Sequence, residues 1–288
     1  MLQRVGFIGL GKMGLPMAEN IVKKGFDLTV YARRKEPLEA MKKVGARVAP
    51  TIKDLGELTD IIITIVLDTK STETVILGPE GLLAGAKPGS LIVNMATISP
   101  TSSKKIQEVC ASKGVDLINA PVSGNVPGAV AGTLAIMVDG NPRLVEKARP
   151  VLEAMGKEIF HFGEIGSALI VKVAKNLISN SEYIAINEAA AMVTRAGIDT
   201  ELFFSMVRAS TGDCRALHNK FWYRWWLGKC DKPETVYLTV KDTEEAVEVA
   251  RELGLHLEHA ESLAKMDIPA LLKTIPRDII IRHLQEEK

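Results

Sequence analysis

Two rhythms alternate along the first half of the chain. Short apolar runs rich in Val, Ile and Leu fall at residues 5–8, 28–31, 61–66, 91–95, 115–118, 134–138 and 159–162. Between them, apolar positions recur with helical spacing near 13–24, 36–44, 101–113 and 142–155. Runs that stay apolar along their length predict strands buried on both faces, and strands alternating with helices predict βαβ units and a parallel sheet. The rhythm changes after Gly163. One stretch of helical spacing covers 167–196 with neither proline nor glycine, and more follow at 199–210, 214–228 and 240–266. No later run has the strand character of the first half. The pattern predicts an α/β domain over 1–163 and an all-α domain over 164–288, joined by a long interdomain helix.

Composition narrows the class. At 288 residues the chain has room for two domains, and 47% hydrophobic with 25% charged residues is the profile of a globular protein. Lys plus Arg total 36 against 35 for Asp plus Glu, so the basic excess expected of a nucleic-acid or membrane-surface binder is missing. Cys110, Cys214 and Cys230 are too scattered for a disulfide framework or a metal motif. His256 and His259 share a helix face, but no third ligand follows at metal-site spacing, so no metal is expected. No apolar run is long enough to span a bilayer, and the opening residues, which lead straight into a strand-like run, give no expectation of a secretory leader. These features predict a cytoplasmic protein with a small-molecule partner.

Candidate chemistry begins at the first strand. Residues 5–21 read VGFIGLGKMGLPMAENI, which places Gly9, Gly11 and Gly14 in G-x-G-x-x-G spacing between a strand and a helix that opens near Met13. In that setting the glycines permit a tight turn and the approach of backbone N–H groups to a pyrophosphate, which the helix N-terminus attracts. The first domain is therefore expected to be Rossmann-type, with Gly9, Leu10, Gly11, Lys12, Met13 and Gly14 at the cofactor. An NAD site usually offers an acid at the end of the second strand. Here that end reads Val30, Tyr31, Ala32, Arg33, Arg34. A guanidinium matches a phosphate dianion, so Arg33, assisted by Arg34, predicts NADP(H), with NAD also possible.

Three more stretches follow in order: NAPVSGNVPGAVAGTLAIMV at 119–138, GEIGSALIVKVAKN at 163–176 and LTVKDTEEAVEVA at 238–250. With the glycine loop, they make the chain resemble the β-hydroxyacid dehydrogenases over nearly its whole length. That family includes 3-hydroxyisobutyrate dehydrogenase, tartronate semialdehyde reductase and glyoxylate/succinic semialdehyde reductases, and is distantly related to 6-phosphogluconate dehydrogenase. The resemblance implies that Ser123 and Gly124 bind a substrate carboxylate, beside Asn125, which stands where the family keeps a second glycine. Asn119 replaces the family's usual Asp. Lys172 falls on the family's catalytic lysine and Asn176 on its second asparagine, while Lys175 and Ala168 depart from the pattern. Thr97 and Lys241, with Asp242 as companion, are implied near the nicotinamide, and Val66 and Leu67 on the adenosine or ribose side.

Part of this follows without the resemblance. Lys172 and Asn176, four apart, share one helix face, and the surrounding Leu169, Ile170, Val171 and Val173 predict a buried helix. A buried lysine is expensive unless used or paired, and burial lowers the reference pKa of about 10.4 toward the working range of an acid/base. Lys175 is expected to point away from that face. The implied activity is NADP(H)-preferring interconversion of a small β-hydroxy acid and its semialdehyde, with Lys172 as general acid/base. Alternatives are an NAD-dependent 3-hydroxyisobutyrate or serine-type dehydrogenase and a non-catalytic NADP-binding protein of the same fold. The related imine reductases commonly carry another residue at the lysine position, so Lys172 argues against them. A homodimer or homotetramer is implied. The aromatic cluster at 221–226 and the ending at 268–284 have no assigned role.

Overall fold

The structure, a computed structural model, describes residues 3–218, 233–268 and 270. The chain divides into two compact units, Met1–Lys172 and Val173–Lys288.

In the first unit, β1 (Arg4–Ile8), α1 (Gly14–Lys23), β2 (Asp27–Tyr31), α2 (Lys35–Lys43), β3 (Arg47–Val48), α3 (Ile52–Leu58) and β4 (Ile61–Thr64) lead into α4 (Thr69–Leu77), α5 (Leu82–Gly85), β5 (Leu91–Asn94), α6 (Pro100–Ala111) and β6 (Asp116–Asn119). The six strands form one parallel sheet in the order β3-β2-β1-β4-β5-β6, the order of a doubly wound dinucleotide-binding fold. Side-chain alternation loads both faces. Ile61 and Ile63 of β4 pack with Met17, Ile21 and Val145, while Ile62 packs with Leu55, Ile76 and Ile106 on the other side. All three isoleucines are fully buried, each contributing about 1.5–3 kcal/mol.

The chain then passes through β7 (Val122–Ser123), α7 (Asn125–Ala131), β8 (Leu134–Val138), α8 (Pro142–Leu152) and β9 (Gly156–His161). The apolar runs at 134–138 and 159–162 do not extend the parallel sheet. They form a second, three-stranded sheet in the order β7-β8-β9, with β7 antiparallel to β8 and β9 parallel to it. Pro121 has no N–H to give, yet its carbonyl accepts from Met137 N at 3.0 Å, and β8 runs back past it so that Asp139 N donates to Asn119 O at 3.0 Å. Apolar runs carry no record of strand direction, so the sequence pattern does not separate the two sheets.

The second unit is helical among its described residues. α9 (Ser167–Arg195) spans the division between units, and α10 (Thr200–Arg208), α11 (Arg215–His218), α12 (Pro233–Glu252) and α13 (Glu258–Ala264) follow. Ile184, Ala190, Phe204, Leu217 and Leu263 form its core. The helix expected over 240–266 breaks in two. Gly254 adopts φ +72°, Gly254 N donates to Arg251 O at 3.0 Å, and Leu255 N donates to Ala250 O at 2.8 Å, the double closure that ends a helix at a left-handed glycine. Of the stretch expected at 214–228, α11 covers Arg215–His218; residues 219–228, with the aromatic cluster, lie outside the described residues, as does most of 268–284. No helix among the described residues is long and apolar enough to cross a membrane.

Candidate functional site

The three loop glycines do three different jobs. Gly9 sits at φ +107°, and a Cβ there would lie 2.0 Å from the Ile65 carbonyl oxygen. A Cβ on Gly14 would lie 1.9 Å from Gly9 O, so this glycine lets α1 close on the loop. At Gly11 an added Cβ meets nothing within 4 Å. The turn, the close helix packing and the open approach are the requirements of a pyrophosphate cradle. α1, with Met13 as its N-cap residue, has no side-chain cap and no acid in its first turn, so no charge of its own offsets its positive end. Leu10 is buried, Met13 half-buried and Lys12 exposed. Arg34, the residue before α2, bends back until its Nη2 donates to Leu10 O at 3.5 Å; Arg33 beside it is exposed. These features fit a dinucleotide. Beyond β4, Val66 packs in the core cluster around Ile62, and Leu67 is 58% exposed.

The carboxyl ends of the parallel strands carry a buried polar ladder. Thr64, Asn94 and Asn119 are the last residues of β4, β5 and β6, aligned in register and fully buried. Thr64 Oγ1 donates to Asn94 Oδ1 at 3.4 Å, Asn94 Nδ2 to Asn119 Oδ1 at 3.1 Å, and Ser103 Oγ to the same oxygen at 2.9 Å. Asn94 Oδ1 also accepts from Ala96 N at 3.2 Å, which shapes the turn that presents half-buried Thr97. The ladder ends on Asp139, fully buried, whose Oδ1 accepts from Asn119 N at 3.0 Å and Asn119 Nδ2 at 2.9 Å. Its Oδ2 accepts from Gly166 N at 2.9 Å and Ala168 N at 3.0 Å, at the start of α9. Asp139 belongs to none of the sequence motifs, although an acid placed right after an apolar strand end is a usable signal.

Ser123 is half-buried at the end of β7, followed by exposed Gly124 at φ +140° and exposed Asn125 at φ +54°. Asn125 is the one non-glycine residue with positive φ among those described. Asparagine tolerates this left-handed conformation better than other side-chain-bearing residues, which accounts for its standing in for a glycine.

On α9, Lys172 is half-buried, and Asn176, 7% exposed, shares its face one turn on. Within the second unit Asn176 Nδ2 donates to Asp242 Oδ2 at 2.9 Å. Lys175 does not point away from this face as expected: its Nζ lies 3.4 Å from Asn176 Oδ1. Positions three apart on a helix are also neighbours, and a four-carbon stem reaches across. Burial pushes the Lys175 pKa down, against the pull of Asp242 and Glu182. Lys241, its side chain 14% exposed, donates to Glu245 Oε1 at 2.7 Å and lies 4.0 Å from Asp242. Burial pushes Glu245 up, the Lys241 contact pulls it down, and its Oε2 is buried with no hydrogen-bond partner among the described residues. Asn180 fastens the same two helices, donating to Thr239 O and Thr243 Oγ1, both at 3.2 Å. The second unit thus gathers Lys175, Asn176, Lys241, Asp242 and Glu245, while the glycine loop, Arg33, Arg34, Thr97, Ser123 and Lys172 belong to the first. Glu245, like Asp139, does not stand out in the sequence, where it is one of a run of acids. Among the described residues no group of three or more His, Cys, Asp or Glu is arranged to hold a metal.

Known proteins match over both units. The family described as the NAD-binding domain of 6-phosphogluconate dehydrogenase matches residues 4–163, and that described as NAD-binding of NADP-dependent 3-hydroxyisobutyrate dehydrogenase matches residues 166–270. The chain is 36% identical over 217 residues to the 2-(hydroxymethyl)glutarate dehydrogenase of Eubacterium barkeri, a match covering 75% of this chain and 72% of that one. It is 37% identical over 216 residues to the NAD-dependent L-serine dehydrogenase of Pseudomonas aeruginosa, with the same coverage. A solved structure of the 3-hydroxyisobutyrate dehydrogenase of Mycobacterium tuberculosis with L-serine is similar over 99% of both chains, at a TM-score of 0.79 and 27% identity. By sheet order, glycine loop and these matches, the chain belongs to the β-hydroxyacid dehydrogenase family of nicotinamide-dependent oxidoreductases.

Proposed function

We propose that the chain is an NADP(H)-preferring dehydrogenase that interconverts a small β-hydroxy acid and its semialdehyde, with Lys172 as general acid/base. The observation that carries the cofactor preference is the end of β2. No acid stands there, and Arg34 folds back to the carbonyl of Leu10 while Arg33 stays exposed beside it. The Arg34 guanidinium at the glycine loop, with Arg33 adjacent to it in the chain, suits a phosphate on the adenosine ribose. Gly9, Leu10, Gly11, Lys12, Met13 and Gly14 cradle the pyrophosphate, Val66 and Leu67 line the adenosine or ribose side, and Thr97 and Lys241 serve the nicotinamide end. When bound, the nicotinamide accepts or delivers the hydride.

The chain's own residues supply position and a proton. The Ser123 hydroxyl and the Gly124 N–H donate to the substrate carboxylate, with Asn125 closing that side. One N–H of Asn176 goes to Asp242, which fixes the amide, and its second N–H orients the reacting oxygen. Lys172 donates a proton to that oxygen during reduction and takes it back during oxidation, a role worth about 10²–10⁴-fold in rate. The match to an NAD-dependent L-serine dehydrogenase supports a second reading, NAD-dependent oxidation of serine or 3-hydroxyisobutyrate. Initial rates with NADPH and NADH against glyoxylate, succinic, tartronate and methylmalonate semialdehydes separate the two. The reverse assay uses serine, 3-hydroxyisobutyrate and 3-hydroxypropionate. Faster turnover with NADPH is expected; a clear preference for NADH would overturn the cofactor assignment.

A further inference from the structure

The carboxylate that the family usually carries at position 119 is not lost from this chain's interior. Position 119 holds an amide, and the amide is bonded to a carboxylate at position 139. Among the described residues every hydrogen-bond partner of Asp139 is a donor: Asn119 N, Asn119 Nδ2, Gly166 N and Ala168 N. These are the surroundings of an ionised acid, since a protonated one would have nothing among them to donate to. Burial raises the Asp139 pKa above the ordinary carboxylate value, and the donors from Asn119, Ala168 and Gly166 pull it only part of the way back.

The two ends of this carboxylate do different work. Through Asn119 it continues the buried ladder to Asn94 and so to the turn before Thr97. Through Gly166 and Ala168 it takes two of the N–H groups that the first turn of a helix leaves unpaired, and its charge meets the positive end of α9. Ala168 lies four residues before Lys172, one turn away on the same face.

We propose that Asp139 is a positioning residue: its carboxylate, held by Asn119, locks the first turn of α9 to the carboxyl edge of the sheet and thereby sets where Lys172 presents its ammonium. The proposal rests on the reading of Lys172 as the proton-transfer group. A misplacement of about 1 Å at a reacting group is worth up to about 100-fold in rate, so the lock has a kinetic signature.

Asp139→Asn keeps the shape but turns an NH₂ toward donors whichever way the amide faces. Its kcat is expected to fall about 10- to 100-fold, with NADPH affinity within about threefold of wild type. The exchange variant Asn119→Asp/Asp139→Asn moves the charge one partner along. The amide then at position 139 accepts from Gly166 and Ala168 and donates to the carboxylate then at position 119, which in turn accepts from Asn94 and Ser103. The main-chain N–H at position 119 alone loses its acceptor. The kcat of the exchange variant is expected to recover to within about fivefold of wild type. A residue that merely stabilises the fold would lower the melting temperature and leave kcat per folded molecule unchanged. A folded Asp139→Asn with wild-type kcat, or an exchange variant no faster than the single one, overturns the proposal; if the single variant does not fold, the exchange variant decides alone. Lys172→Ala is measured alongside. If it is slow while Asp139→Asn is fast, only the positioning role falls; if both are fast, the Lys172 reading falls too.

Discussion

Alanine at Gly11 and alanine at Gly14 are expected to fail in opposite ways. At Gly14 the new methyl would stand 1.9 Å from Gly9 O and 3.0 Å from Ile65 Cγ2. A backbone carbonyl cannot swing aside, so α1 must move off the loop, at a folding cost of about 1–3 kcal/mol or more. At Gly11 the methyl meets nothing within 4 Å, and the residue is outside the left-handed region. Folding is then unaffected or improved by about 0.4–1 kcal/mol, because the unfolded chain loses freedom. In the proposed cradle the same methyl stands where a pyrophosphate would approach. Displacing one charge-assisted hydrogen bond costs about 1.5–3 kcal/mol, which is roughly 10- to 150-fold in affinity. Thermal melts and NADPH fluorescence titrations of both variants read the two effects separately. If Gly11→Ala binds NADPH as tightly as wild type, the loop does not cradle the phosphates. If Gly14→Ala melts with wild type, the packing assigned to the third glycine is wrong.

The paired substitution Arg33→Ser/Arg34→Ser should lower the NADPH-to-NADH ratio of kcat/KM by roughly 10- to 150-fold, one lost bidentate contact, with NADH activity retained; an unchanged ratio would assign the arginines to solvent. Lys175 has a folded pKa lowered by burial from 10.5, so between the two values the unfolded chain holds a proton that the folded one releases, and stability rises with pH through that window. Lys175→Met lacks this slope. From about pH 7 to about pH 10 the melting temperature of wild type should gain on that of the variant, and parallel curves would contradict the burial of Lys175.

The sheet was legible because its strands carry redundant information. Ile61, Ile62 and Ile63 are apolar on both faces, which only a strand covered on both sides accommodates, and the glycine loop has a strand before it and a helix after it. The short elements β3, β7, α3, α5 and α7 were not, since two to seven residues hold too little of either period to stand out, nor was α4, which buries a threonine, Thr72, beside Ile76. The glycine loop and Lys172 were readable as motifs because their neighbours in sequence are their neighbours in space. Asp139 and Glu245 were not. The first is hydrogen-bonded to residues 20, 27 and 29 positions away. The second is told apart from the adjacent Glu244 only by burial. Lys175 was misjudged because helix spacing gives the direction of a Cβ, and a long flexible stem ends elsewhere.

The central claim is that the α9 lysine moves the proton. Steady-state turnover of Lys172→Ala, with NADPH and the fastest aldehyde from the panel, measured beside the NADPH dissociation constant, tests it most directly. The expected result is kcat lowered by about 10²–10⁴-fold with NADPH affinity within about threefold of wild type. Turnover within about threefold of wild type would contradict it.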